Sequence, residues 1–138
     1  MKKNGFTMIE LMIVVGIIAI LASAGLIQFG DAIEKANLAA TVGNMGAIRG
    51  AITVYYGGYA ALPDSLDVSD PLFKQCMSSI PYVKAHKPVS SPPYGNEVTI
   101  GQSGPVIAGK GWYYNDENGW VFINSTANDI KGNIYSTY

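Results

Sequence analysis

The chain has 138 residues, enough for one domain of modest size, and a formal net charge of -1. That charge gives no electrostatic basis for binding nucleic acid or an anionic surface, and a composition 49% apolar and 14% charged excludes general disorder. A single cysteine, Cys76, excludes an intrachain disulfide, and a lone thiol of this kind is ordinarily core packing.

The first element is an apolar stretch behind two lysines, Lys2 and Lys3. From Leu11 to Gly30 no residue is charged, and only Ser23 and Gln28 are clearly polar. At about 1.5 Å per residue such a stretch crosses the roughly 30 Å hydrocarbon core of a bilayer. The lysines keep the N-terminus cytoplasmic by the positive-inside rule. Three objects fit. One is a secretory signal peptide, for which Ala22-Ser23-Ala24 offers a cleavage site. Another is a plain signal anchor. The third is a short basic leader cut away just after Gly5, leaving the apolar segment as a permanent helix.

Glu10 separates them. A carboxylate at the start of an apolar span costs energy, about 2.5–3.5 kcal/mol at mid-bilayer on insertion scales and less near an end. Such residues usually have a partner and a task. A cut between Gly5 and Phe6 creates an amino group four residues before Glu10, and opposite charges attract strongly in low dielectric once their desolvation is offset. The amine belongs either to the same subunit or to a neighbour.

Residues Lys2-Lys3-Asn4-Gly5-Phe6-Thr7-Met8-Ile9-Glu10-Leu11-Met12-Ile13-Val14-Val15 resemble the signal of type IV prepilins and type II secretion pseudopilins. The resemblance implies cleavage by a prepilin peptidase after Gly5 and N-methylation of Phe6. It assigns Glu10 to assembly, as partner of the Phe6 amine. It implies a homo-oligomeric helical filament grown from an inner-membrane assembly platform. The chain would be a single-pass inner-membrane protein first, then part of an extracellular pilus or a periplasmic pseudopilus. Close likeness covers about residues 1–30. Many such sequences have proline just before the Gln-Phe that matches Gln28-Phe29. This one has Ile27, so a straighter helix is predicted.

Beyond Asp31 the periodicity becomes amphipathic. Ile33, Ala36, Ala40, Ala47, Ile48, Ala51, Ile52 and Tyr55 recur at steps of three and four, with Glu34, Lys35, Asn37, Thr41, Asn44 and Arg49 mostly elsewhere. Gly57-Gly58 is the predicted stop. The helix is therefore expected over about 7–56. Residues 1–5 form the leader, 6–30 the membrane-spanning or filament-core half of the helix, and 31–138 a globular domain that includes the helix's second half. Asp31, Glu34, Lys35 and Arg49 are more often solvated charges than bridges between subunits.

In the remainder, Asp70-Pro71 predicts the cap of a short helix through Leu72, Phe73, Met77 and Ile80. Pro81, Pro88, Pro92 and Pro93 predict irregular chain over 81–96. Val98 and Ile100 suggest a strand. Gly111-Trp112-Tyr113-Tyr114-Asn115 and Gly119-Trp120-Val121-Phe122-Ile123-Asn124 flank the turn sequence Asp116-Glu117-Asn118-Gly119, which reads as an antiparallel hairpin. The fold class is thus α+β and pilin-like, a long N-terminal helix whose C-terminal half packs on a small antiparallel sheet.

No constellation for catalysis, metal or cofactor is visible, so an enzyme is not expected. His86 stands alone beside Lys84 and Lys87. Asp64, Asp67 and Asp70, and separately Asp116-Glu117-Asn118, offer oxygens but read as caps and turns rather than calcium ligands. Nine tyrosines and two tryptophans lack the interleaved basic residues of a nucleic-acid platform and read as core and subunit-interface packing. Asn124-Ser125-Thr126 is formally a glycosylation sequon. The competing function is a minor pilin serving as a filament-borne binding module in adhesion or DNA uptake.

Overall fold

The protein is described by a computed structural model that covers residues 5–84, 95–102, 104, 111–129 and 131–138, with backbone alone at 26–28. Lys2, Lys3, His86, Lys87, Pro88, Pro92 and Pro93 lie outside these. The elements in chain order are α1 (Met8–Tyr59), α2 (Phe73–Cys76), β1 (Val98–Ile100), β2 (Trp112–Tyr114), β3 (Val121–Ile123) and a 3-10 turn (Tyr135–Thr137). Two compact units result, Met1–Ile33 and Glu34–Tyr138.

The first unit holds the N-terminal part of α1. The helix is assigned without a break past Gly16, Gly25 and Gly30. Three glycines cost a helix about 1 kcal/mol each relative to alanine, too little to interrupt it. Ser23, the polar residue described within the apolar stretch, donates its hydroxyl to the carbonyl of Ile20 at 2.8 Å. That bond satisfies the group inside the helix itself.

The second unit is a core between the later part of α1 and the sheet. The buried helix face matches the one the periodicity suggested from Ile48 to Tyr55 and departs from it before Ile48. Leu38, Thr41, Met45, Ile48, Ala51 and Ile52 are buried, whereas Ile33, Ala36, Ala40 and Ala47 are exposed. The reason is polar. Thr41 donates to Asn37 O at 2.8 Å and accepts the Lys84 N–H at 2.9 Å. Asn44 donates to Tyr82 O at 2.8 Å. These two residues sit on the core stripe because they bind the chain at 82–84, where backbone groups need partners. Counted as polar, they displaced the expected stripe.

Helix α1 also runs past Gly57-Gly58 to Tyr59. The rings of Tyr55 and Tyr59 pack at 4.7 Å between centroids, an i,i+4 contact that supports the last turn. The chain leaves the helix at Ala60, φ 53, whose N–H donates to Tyr56 O at 2.8 Å. An alanine thus occupies the left-handed position that glycine usually fills.

The sheet has the order β1-β2-β3. The pair β2–β3 is antiparallel, Trp112 opposite Ile123 and Tyr114 opposite Val121. The pair β1–β2 is parallel, Val98 opposite Trp112, so the sheet is mixed rather than wholly antiparallel. In sequence, residues 101–111 separate the two strands. A parallel pair needs a connection of about a dozen residues, and a tight hairpin would have forced the other sense. Gly111 is where the chain enters β2, at φ 77, and a Cβ there would lie 2.3 Å from Glu97 O. Only glycine lets the Trp112 N–H reach that same carbonyl, at 2.7 Å.

The predicted turn is built by Asn115, whose Oδ1 accepts the N–H groups of Glu117 and Asn118 at 3.0 and 3.1 Å. Being central, β2 is buried on both faces. Trp112 and Tyr114 enter the core with Val121 and Ile123. Their polar tips are satisfied by loop carbonyls, Trp112 Nε1 on Pro81 O and Tyr114 Oη on Pro63 O, both at 2.7 Å. Trp112, Tyr113, Tyr114 and Tyr135 are therefore interior groups, whereas Trp120, Tyr56, Tyr59 and Tyr82 are exposed.

Helix α2 is a single turn, shorter than predicted. Asp70 Oδ1 accepts the Leu72 N–H at 2.9 Å, and Asp67 Oδ1 accepts the Ser69 N–H at 2.8 Å. Both carboxylates thus work within local turns. Cys76 lies half-buried against the core. Arg49 is not simply a solvated charge, since its Nη2 donates to Val121 O at 2.9 Å and Tyr138 O at 3.2 Å. Asn124 is fully buried, with its amide nitrogen donating to Thr99 Oγ1 at 3.0 Å, so the sequon's acceptor nitrogen is enclosed in the folded domain.

Asp129 closes the domain. It is fully buried, and its Oδ1 accepts the N–H groups of Lys131 and Asn133, each at 2.8 Å, while Oδ2 accepts the Tyr138 hydroxyl. Burial pushes its carboxyl up, but the bonds from Tyr138, Asn133 and Lys131 outweigh this and hold it below the ordinary carboxylate value. A group depressed in the folded state stabilises above its unfolded value, about 3.9, and that contribution is lost as pH falls through the folded value. Stability measured by denaturant titration is expected to fall from pH 5 towards pH 2. Asp129→Asn should lower stability at pH 7 and flatten that acid limb.

Candidate functional site

The site predicted from sequence is the N-terminal segment, and the structure brings Thr7 and Glu10 together there. Gly5, Phe6 and Thr7 are exposed and non-helical, and α1 begins at Met8. Glu10 Oε2 accepts both the Thr7 backbone N–H, at 2.8 Å, and the Thr7 hydroxyl, at 2.7 Å. In return Thr7 Oγ1 accepts the Glu10 N–H at 3.3 Å. This is a capping box, Thr7 as N-cap and Glu10 three positions into the helix, each satisfying a backbone donor of the other. The carboxylate also lies at the positive end of the helix dipole. Sequence reasoning gave Glu10 a single role and passed over this one. The signal was present as Thr7-Met8-Ile9-Glu10, a threonine-x-x-glutamate directly before an apolar run.

Behind the box, the helix is long and apolar enough to cross a membrane, and none of the candidate span is buried within the chain. The apolar side chains from Phe6 to Leu21 are exposed, Phe6 at 74% and Met8 at 81%. Burying one large apolar side chain contributes about 1.5–3 kcal/mol. Exposing so many contiguously is sustainable only where lipid or protein covers them.

Residues 1–26 match the family described as the prokaryotic N-terminal methylation motif. The chain carries that motif. That match takes in Lys2, Lys3, Gly5, Phe6, Thr7, Glu10 and most of the apolar stretch. Among curated proteins, the fimbrial protein EcpC of Eikenella corrodens is 36% identical over 61 residues, which is 44% of this chain and 40% of that one. The match thus spans well under half the length of that relative. No solved structure matches the chain. Motif, fimbrial relative and the α+β architecture are all consistent with the type IV pilin family, in line with the likeness read from the leader.

Elsewhere the surface is less marked. A groove of about 460 Å³ runs beside β1, floored by Leu66, Ile80 and Val98 and edged by Asp67 and Ser79. Among the described residues, no three acidic, histidine or cysteine side chains converge as a metal site would require.

Proposed function

We propose that the chain is a structural filament subunit, a pilin or pseudopilin. The observation that carries this reading is the unburied apolar helix whose first part falls within the methylation-motif match. The precursor sits in the inner membrane with Lys2 and Lys3 on the cytoplasmic side. A prepilin peptidase cuts between Gly5 and Phe6, and the new amine of Phe6 is methylated. Subunits then leave the bilayer through the assembly platform, and their N-terminal helices exchange lipid for one another. The apolar surface that lipid covered becomes the filament core, and the domain from 31 onward lies outside it.

Glu10 pairs with the Phe6 amine of its own or a neighbouring copy. Its two bonds from Thr7 engage Oε2 alone, so the second oxygen is available for that partner. Intact-mass and N-terminal peptide analysis of the protein from its native host tests the scheme. A mature chain starting at methylated Phe6 is expected. Retention of residues 1–5, or a chain starting at Gly25 after signal-peptidase cleavage, would overturn it.

A further inference from the structure

We infer that Thr7 is a positioning residue for the processing step: its capping box with Glu10 stops α1 at Met8 and holds the Gly5–Phe6 bond in non-helical chain, where a peptidase can take it. This rests on the proposed cut after Gly5. Hydrolysis there adds water across one amide, leaving a carboxylate on Gly5 and an amino group on Phe6 that takes up a proton. The amide must be reached along its main chain. Peptide recognition of this kind uses extended backbone, whose N–H and C=O groups are free to pair with the binding protein. A bond wound into a helix presents neither.

Why the helix stops where it does is therefore a functional question. Near a bilayer, unpaired backbone groups are costly, and a helix gains by extending until something else satisfies its end. Thr7 supplies that end. Its hydroxyl takes the Glu10 N–H, and its own N–H is taken by Glu10. The first residue held in the helical ladder by a backbone bond is Leu11, whose N–H donates to Thr7 O at 3.3 Å. Gly5 and Phe6 remain outside. Without the hydroxyl, the next good capping side chain upstream is that of Asn4. A helix capped from there would draw Gly5 and Phe6 into its first turn.

The test uses the full-length precursor in inner-membrane vesicles that contain a prepilin-type peptidase, with product followed by mass spectrometry. Thr7→Val keeps the shape and loses the hydroxyl. Its cleavage should slow about fivefold, the effect a lost cap has on an equilibrium. The loss should fall on KM, because only a fraction of the chains present a cleavable bond. In the same variant the Cα chemical shift of Phe6 should move towards helical values. Thr7→Ser and Thr7→Asn, which differ in shape but both cap helices, should restore the rate. Thr7→Val cut at the wild-type rate would overturn the inference, as would rescue by Ser and not by Asn, which would mean that the peptidase reads the hydroxyl itself. Wild-type precursor left uncut at Gly5 would remove the underlying reading, an outcome distinct from both.

Discussion

Glu10→Ala is expected to accumulate in the membrane and to be absent from sheared filaments, assayed by immunoblot of the two fractions against wild type. The wild-type carboxylate brings a charge to the start of an apolar helix, and Thr7 meets part of its demand. What remains is an acceptor suited to an ammonium. In the proposed filament the Phe6 amine, once freed by the cut, would enter the same low-dielectric region, where an unpartnered charge costs several kcal/mol. On that reading alanine would leave the amine without its partner in every subunit, and a filament would repeat the cost at each step. Glu10→Lys adds repulsion between like charges and should be at least as severe. Glu10→Gln retains an oxygen for the Thr7 N–H but no charge. It should keep the helix start and still fail to assemble, which separates the capping role from the assembly role.

The second large effect lies in the core. Trp112→Ala removes the largest fully buried side chain and leaves Pro81 O without its donor. Truncations of this kind cost about 3–5 kcal/mol. Set against a whole-domain stability of about 5–15 kcal/mol, that brings the folded state close to its limit. For a domain of this size, about 4–8 °C is lost per kcal/mol, so the thermal midpoint should fall by on the order of 12 °C or more. Near-UV circular dichroism of the detergent-solubilised chain reads it. Trp112→Phe keeps most of the volume but loses the N–H and part of the bicyclic ring, so it should retain more of the stability than alanine does. A drop equal to that of alanine would show that the Pro81 bond matters more than the packing.

The alkaline limit should be set by two buried tyrosines. Desolvation, aided by Asp116 and Asp64, pushes Tyr114 up to about 12, and desolvation, aided by Glu34 and Asp129, does the same for Tyr135. Their neutral forms are favoured only in the folded state. Their contribution is intact below the unfolded value of about 10 and is lost as pH rises towards 12.

Much of this architecture is legible in the residues. The hairpin is announced by Asp116-Glu117-Asn118-Gly119 between two aromatic, β-branched runs, because turn chemistry and strand propensity are local properties. Partner direction is not local. Nothing in Val98-Thr99-Ile100 states that it will lie parallel to Trp112-Tyr113-Tyr114. The stripe was misplaced before Ile48 because hydropathy counts Thr41 as surface, whereas its hydrogen bonds hold it in the core, with Asn44 half-buried beside it. Gly57-Gly58 looked like a stop because glycine is permissive, but permissive is not obligatory, and the Tyr55–Tyr59 contact carried the helix through. At the N-terminus, an acid at the start of an apolar run marks Glu10, whereas Gly5 and Phe6 were assigned only by the likeness to the prepilin signal. Thr7 is less legible, because an ordinary capping pattern coincides there with the unusual acid in an apolar run.

The bonds from α1 to the rest of its domain have a mechanical consequence. Thr41, Asn44 and Arg49 grip the chain at Lys84, Tyr82, Val121 and Tyr138, at successive heights along one helix. A pull along the helix axis loads these clasps side by side, in shear, so they must yield together rather than one after another. Forced opening is governed by the unfolding barrier rather than by equilibrium stability. Under such a pull the helix would carry the tension, with the sheet lashed to it at several points.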